Sequence, residues 1–483
     1  MLLLFCFFFI RYHFCMEKQK SMSVYRYAIL WAVLIGNIIG PIDGSMINVV
    51  LPTLSDAFSV PMSVVQWVPI VNLTVVSATM LLFGKIGDAV SYRKPFLWGL
   101  WLFCAASFMA GFAPSIVFLI IFRALQGLGA SMIMSVVFAI ITAVFSPDEL
   151  GRAMGINIFT VSLGLVIGPL LAGLLTNYLS WRWVFFVDGI VALIGIFLTA
   201  KYIPNFKGTV AKVDYLGAAL FFLFSSTLLL FVSLFSTHGF SPFNQALLTV
   251  SVLALILFIY LEQVNPHALV NLKLFRNRSF SFGLIASFFT FVSQFMMTFV
   301  LPFHLQRLLG YPPHISGLIV TVFPLMSMFS SLLSQFVNAK VSDNILCFIS
   351  SVISALGIVA LAFSGSDSSF LLVTFALVIY GFGTGLFQSI NSKSVMVTLP
   401  DRYLGIGSAM LSMIRNMGMA LGVAFGSLTL YSFVPHTILG QSTFSISDGL
   451  LFLRGLRYTY LLSAGASVLA ALSSLLATSE AVE

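Results

Sequence analysis

The stretch AILWAVLIGNIIGPIDGSMINVV, residues 28–50, decides the fold. It carries a single ionisable side chain, Asp43. As a helix rising 1.5 Å per residue it is long enough to cross the roughly 30 Å of hydrocarbon in a bilayer. Blocks of the same kind follow at 64–84, 96–114, 117–143, 154–177, 183–203, 215–235, 244–262, 279–303, 315–337, 345–364, 370–390, 405–431 and 456–477. Unpaired backbone is too costly in lipid for anything but helices or closed barrels, and these runs are too long and continuous for barrel strands. The reading is an all-α membrane protein of about fourteen spans. Composition agrees: 59% of the 483 residues are hydrophobic and 8% charged. Soluble domains carry about 25% charged residues, so a water-facing surface could not be covered here.

A net charge of +8 raises the question of nucleic acid, and the positions of the charges exclude it. With the N-terminus inside, 17 of the 23 Lys and Arg fall on the cytoplasmic side, among them Lys85, Arg93, Lys94, Arg152, Lys207, Lys212 and Arg402. Arg182, Arg307, Arg454 and Arg457 fall outside, and Arg123 and Arg415 lie within spans. That bias places both termini in the cytoplasm. The four cysteines, at 6, 15, 104 and 347, and the six scattered histidines give neither a disulfide framework nor a metal-ligand cluster. The apolar run Leu2–Ile10 is too short to span; it reads as an amphiphilic tail, an over-extended start before Met16 or Met22, or a signal peptide lacking its basic flank.

An internal repeat is visible. Gly84, Lys85 and Asp88 recur 255 residues later as Ala339, Lys340 and Asp343. Gly127, Gly129, Gly151, Gly164 and Gly168 recur at an offset of 254 as Gly381, Gly383, Gly405, Gly418 and Gly422. The expected organisation is a tail (1–27), a six-helix bundle (28–203), a linker with two additional membrane helices (204–278), a second six-helix bundle (279–477) and a cytoplasmic tail (478–483). Two repeats around a central site suit alternating access; duplication for architecture alone is the competing reading. There is no GxxxxGK[ST] loop for a nucleotide.

Charges inside spans are the candidate site, because hydrocarbon makes them expensive to retain. Asp43 is either a proton or cation site or a structural acid in a helix break at Gly40, Pro41 and Gly44. Arg123 has five donors that demand acceptors, and with Gln126 it either organises a proton or substrate site or brackets helices through carbonyls. Gly84, Asp88 and Arg93 read as a gate or a membrane-edge anchor. Gly164, Gly168, Pro169 and Gly173 make a close-packing face, with a proline that its counterpart at Gly418, Gly422 and Gly426 lacks, as expected of a pivot or seal. Secondary candidates are Asn48, Arg415, expected to find Asn391, Gln388 or a carbonyl, and Asp188, read as lying near the interface anchored by Trp181 and Trp183. His304 and Gln306 read as interface residues.

These motifs, in this order, resemble the major facilitator superfamily, and within it the fourteen-span drug:proton antiporters. IDGSMINVVLP, with Asp43, Asn48 and Pro52, is similar to the acid-containing first-span signature. Gly84 to Lys94 resembles the gating loop, although Ala89 and Ser91 replace its usual basic residue and second glycine. Arg123, Gln126, Gly127 and Gly129 are similar to the fourth-span motif associated with proton transfer, and Gly164 to Gly173 to the fifth-span antiporter motif. WRWVFF, LKLFRNRSF and GIGSAMLSMIRNMGMALGVA add further matches, with Asp188 and Ile190 standing where the family commonly has Asn and Pro. The resemblance implies export of lipophilic compounds through the inner membrane in exchange for protons, with no bound cofactor. It also admits a periplasmic adaptor as partner. A carrier of another class on the same fold, for a nutrient, metabolite or siderophore, is the alternative. A receptor or assembly factor would be indifferent to Asp43 and Arg123, and no nucleophile, base and orienter recur as an enzyme requires.

Overall fold

The structure, a computed structural model, describes residues 21–145, 147–206, 214–265, 272–337, 342–365, 370–399, 404–434 and 446–477. Cys6, Cys15, Lys207, Lys212, Ala339, Lys340 and Arg402, and both predicted tails apart from residues 21–27, lie outside them. The long helices are α1 (Ser21–Ala57), α2 (Trp67–Val90), α3 (Arg93–Gly111), α4 (Ile116–Val144), α5 (Pro147–Tyr178), α6 (Arg182–Tyr202) and α7 (Tyr215–His238). They continue as α8 (Pro242–Val264), α9 (Arg278–Phe303), α10 (Pro313–Val337), α11 (Asp343–Ala362), α12 (Phe370–Val397), α13 (Leu404–Phe433) and α14 (Ile446–Leu476). Twelve of the described helices are long and apolar enough to cross a membrane; α3 and α13 fall outside that set. Among the described residues there is no strand.

Local chemistry sets several helix starts. Asp214 accepts the Gly217 amide at 2.9 Å to open α7, Ser241 the Asn244 amide at 3.3 Å to open α8, and Asn277 the Phe280 amide at 3.1 Å to open α9. Gly239, at φ 52°, turns the chain between α7 and α8 in a conformation that a side chain would strain.

The pairing of helices repeats. In the first half α1 packs on α5 and α6, α4 on α2 and α3, and α3 on α6; in the second α9 packs on α13 and α14, α12 on α10 and α11, and α11 on α14. The glycines make the same contacts in both halves. A Cβ on Gly164 would meet Pro41 of α1 at 3.0 Å, and one on Gly418 would meet Phe291 of α9 at 3.2 Å. Gly168 faces the Ile42 carbonyl at 2.9 Å and Gly422 the Val292 carbonyl at 2.6 Å. Gly129 faces the Gly99 carbonyl at 2.7 Å and Gly383 the Ser350 carbonyl at 2.6 Å. In each pair a missing side chain lets two backbones touch, so the repeat in the sequence is a repeat of close helix crossings.

Among the described residues the two largest seams between the halves are α5 on α10 and α2 on α13. The first is the tighter at its glycines: a Cβ on Gly173 would lie 2.7 Å from the Pro313 carbonyl, and one on Gly317 would collide with the Pro169 carbonyl. The second is flanked by α7, which packs on α2 and α13 and carries α8 on its other side.

Candidate transport site

Asp43 lies in an unbroken α1, which runs through Pro41 and Pro52, so the helix break expected at Gly40, Pro41 and Gly44 does not form. Its carboxylate instead pairs with the Arg123 guanidinium of α4, and both residues are almost fully buried, at 3% and 1% exposure. Arg123 distributes its donors over three partners. Nη1 serves both Asp43 Oδ1 and Gln126 Oε1, the latter at 3.0 Å, while Nε donates to the Val68 carbonyl of α2 at 3.2 Å. Gln126, one turn further along α4, passes the network to Ser107 of α3 at 2.7 Å, and Asn72 of α2 donates to the Arg123 carbonyl at 3.2 Å. Arg123 therefore holds the Asp43 carboxylate and ties α2 to α4. Nothing in the spacing of the sequence singled out Val68, Asn72 or Ser107.

The second half shows what the same fold does without these charges. The contacts that place Ile42 opposite Gly168 and Val292 opposite Gly422 put Ser293 where Asp43 stands. Ser293 is buried and bonds Ser463 and Ser467 of α14 at 3.1 and 2.8 Å. Counting by the glycine offset, Arg123 corresponds to Leu377, which is also buried. The second half thus has hydroxyls and an apolar side chain where the first half has the ion pair.

Asp188 is the largest change from the sequence reading. It is 1% exposed and lies in the field of both Asp43 and Arg123, within side-chain hydrogen-bonding reach of Asp43, rather than at an interface with Trp181 and Trp183. Its Oδ2 is buried without a hydrogen-bond partner. Six residues of helix separate it from Arg182, which is about 9 Å of depth and enough to carry a side chain below the rim.

The other candidates are dispersed. Asn48 donates to the Gly44 carbonyl at 3.2 Å, leaving Oδ1 buried and unpartnered. Gly84 sits opposite Ser135 at ordinary distance, Asp88 accepts the Tyr92 hydroxyl at 3.1 Å, and Arg93 donates to the Ala200 carbonyl at the end of α6, 2.9 Å away. Burial and the Asp88 carboxylate together hold the Tyr92 hydroxyl above its ordinary range. Arg415 meets none of its expected partners: Asn391 donates to the Gly283 carbonyl and Gln388 to Gln294, while the guanidinium lies over the Phe291 ring at 5.8 Å.

A set of contacts across the halves had no sequence signal. At the end of the bundle where α1 finishes, Arg307, in the π-turn His304–Leu308 after α9, pairs with Asp56, and Gln306 donates to the Val49 carbonyl at 3.0 Å. His304, expected at an interface, is fully buried with its Nδ1 3.1 Å from the Tyr460 hydroxyl. At the Arg93 end, the ion pairs Arg26–Glu149 and Lys393–Asp343 each stay within one half.

A body of apolar helices, internally repeated, with an ion pair buried in its first half, is the build of a membrane carrier that works by alternating access. The model of the Major Facilitator Superfamily matches residues 33–423 and 283–482, and the chain belongs to that family. It is 30% identical to the riboflavin transporter RibZ of Clostridioides difficile over 407 residues, 83% of this chain and 88% of the relative. It is 29% identical to MdtD of Escherichia coli, named for multidrug resistance, over 83% of this chain and 85% of that one. Its fold matches a bacterial homologue of the human lysosomal transporter Spinster, solved inward-facing and occupied, with a TM-score of 0.68 at 15% identity, covering 94% and 97% of the two chains. The chain is a transporter and not an enzyme.

Proposed function

We propose that the chain is a proton-coupled carrier of a small organic solute in the inner (cytoplasmic) membrane, with all fourteen long helices spanning, both termini cytoplasmic, and two six-helix bundles flanking the additional pair α7 and α8. The observation that carries this reading is the buried Asp43–Arg123–Gln126 network in one half, set against Ser293 in the other. An ionised Asp43 holds Arg123 and so holds α1 to α4. A proton on Asp43 removes the Coulomb partner and leaves the guanidinium to Gln126 and the Val68 carbonyl. Occupancy by a proton thereby changes the relative energies of two arrangements of the bundle, and by linkage solute and proton affect each other's binding. With the outside at the Asp56 end, the Asp56–Arg307 pair and the α5–α10 seam close the outer face, as in an inward-facing state.

For the solute, the likeness to a riboflavin transporter favours a planar, uncharged or weakly charged metabolite of that size. A second reading, export of lipophilic drugs, is supported by the Gly164, Gly168, Pro169, Gly173 motif and by the likeness to MdtD. Purified protein in proteoliposomes separates these readings when riboflavin, lipophilic cations and neutral drugs are offered under pH gradients of both polarities. Gradient-driven flux of riboflavin-like solutes alone supports the metabolite reading, and flux of the lipophilic cations supports the drug reading. Asp43→Asn is expected to abolish the response to the gradient in either case. A normal gradient response in that variant rejects proton coupling at Asp43.

A further inference from the structure

Three buried ionisable side chains from three helices meet in the first half: Asp43 of α1, Arg123 of α4 and Asp188 of α6. Arg123 pairs with Asp43 through Nη1, which also donates to Gln126, while Nε donates to the Val68 carbonyl. Asp188 faces Asp43, and its Oδ2 has no protein partner. We infer that Asp43 and Asp188 form a carboxyl pair that binds one proton between them, so that the coupling proton is held by two residues and not by Asp43 alone.

Charge balance is the argument. With both carboxylates ionised the cluster carries one net negative charge in a buried region, and the two anions repel at short range. With one proton shared between them the cluster is neutral, the proton bridges the facing oxygens, and Asp43 keeps its ion pair with Arg123. Two carboxylates in one buried site cannot both ionise cheaply, and such a pair titrates as a unit. Among the described residues, Arg123 is the cation that offsets this charge near Asp188. From α3 the neighbouring titratable group is the Cys104 thiol, hydrogen-bonded to the Gly189 carbonyl at 3.4 Å. Arg93 and Lys94 stand at the far end of that helix. The ionisable residues of α5 are confined to its first turns and Tyr178, and those of α6 besides Asp188 are Arg182, Lys201 and Tyr202 at its ends. The step itself is simple: one carboxylate of the pair takes up H⁺ to become a carboxylic acid, and the same O–H bond breaks when the proton leaves. A metal cation is the poorer occupant, because only two carboxylates converge and one is already taken by Arg123.

This inference rests on the reading of Asp43 as the coupling acid, and infrared spectroscopy tests the two separately. In purified protein in lipid at neutral pH, a carbonyl band of a buried protonated carboxyl is expected. It should disappear in Asp188→Asn and in Asp43→Asn, and remain in Glu149→Gln, which removes a half-exposed carboxylate. The asparagine at 188 can donate to Asp43 the hydrogen bond that the proton would make, so the fold is expected to survive, checked by thermal melting. In transport, the pH at which gradient-driven flux is half-maximal should move by about one unit or more in Asp188→Asn, the size of a nearby like charge removed. Absence of the band in the unmodified protein, or its persistence in Asp188→Asn, overturns the shared proton even if transport is proton-driven. A band that behaves as expected in a protein whose flux ignores the pH gradient upholds the pair and rejects the coupling role.

Discussion

Arg123 serves three acceptors from two helices and its own, and each sets an expectation for its replacement. Lysine keeps the charge but offers a single point of contact in place of a planar fork, so Arg123→Lys cannot serve Asp43, Gln126 and the Val68 carbonyl together. It is expected to fold and to lose at least about tenfold in gradient-driven flux, the equivalent of one strong polar contact. Arg123→Ala leaves buried carboxylates without a cation, a loss of about 3–5 kcal/mol where one partner of a buried pair is removed. The double variant Asp43→Asn, Arg123→Gln removes both charges and should melt closer to the unmodified protein than Arg123→Ala does. A melting temperature for the double variant below that of Arg123→Ala would contradict the ion pair as the origin of the loss.

At the level of helices, close crossings carry the stability that polar contacts do not. Gly129 has the Gly99 carbonyl and the Phe103 amide nitrogen each 2.7 Å from where a Cβ would stand. Gly129→Ala must therefore push α4 from α3, at a cost of about 1–3 kcal/mol for an overpacked core. Gly465 of α14 has nothing within 4 Å, and there the same substitution gains helix propensity, up to about 1 kcal/mol. Thermal melts of the two variants should move in opposite directions. The asymmetry between α5 and its counterpart α13 has a visible cause: Pro169 and Gly173 serve the seam with α10, whereas Gly426 of α13 faces Met296 of α9 inside its own half. Leucine in place of Gly317 would wedge that seam, and alkylation of a cysteine placed at the buried Ser316 by a membrane-impermeant reagent should then increase. Unchanged labelling would mean that the seam does not close this face.

For the whole molecule, alternating access requires that contacts between the halves at one end break while those at the other form. Asp56 and Arg307 are suited to report it, since they join the halves at one end only. Cysteines at both positions should cross-link, and the cross-linked protein should lose exchange and regain it on reduction. Full exchange in the cross-linked state would mean that this end stays shut throughout the cycle. Arg307→Ala is expected to shift the resting population toward the state open at this end, read as faster labelling of the Ser316→Cys reporter.

Read alone, the sequence determined the medium, the helices and the repeat. Each is a one-dimensional property: apolar length against the thickness of a bilayer, and glycines at a constant offset. It also picked out Asp43 and Arg123, the latter with its neighbour Gln126, because charge inside an apolar run is visible without knowing its spatial neighbours. Only the tertiary structure decided which of them meet. Asp43 and Arg123 are 80 residues apart in the chain, and Asp188 comes from a third helix. Six residues past Arg182 look like a rim in a sequence and lie deep in a packed bundle. The unbroken α1 through Pro41, the serine counterpart at Ser293 and the Asp56–Arg307 closure were equally out of reach, since helix rotation and pairing are set by long-range packing that no local pattern encodes.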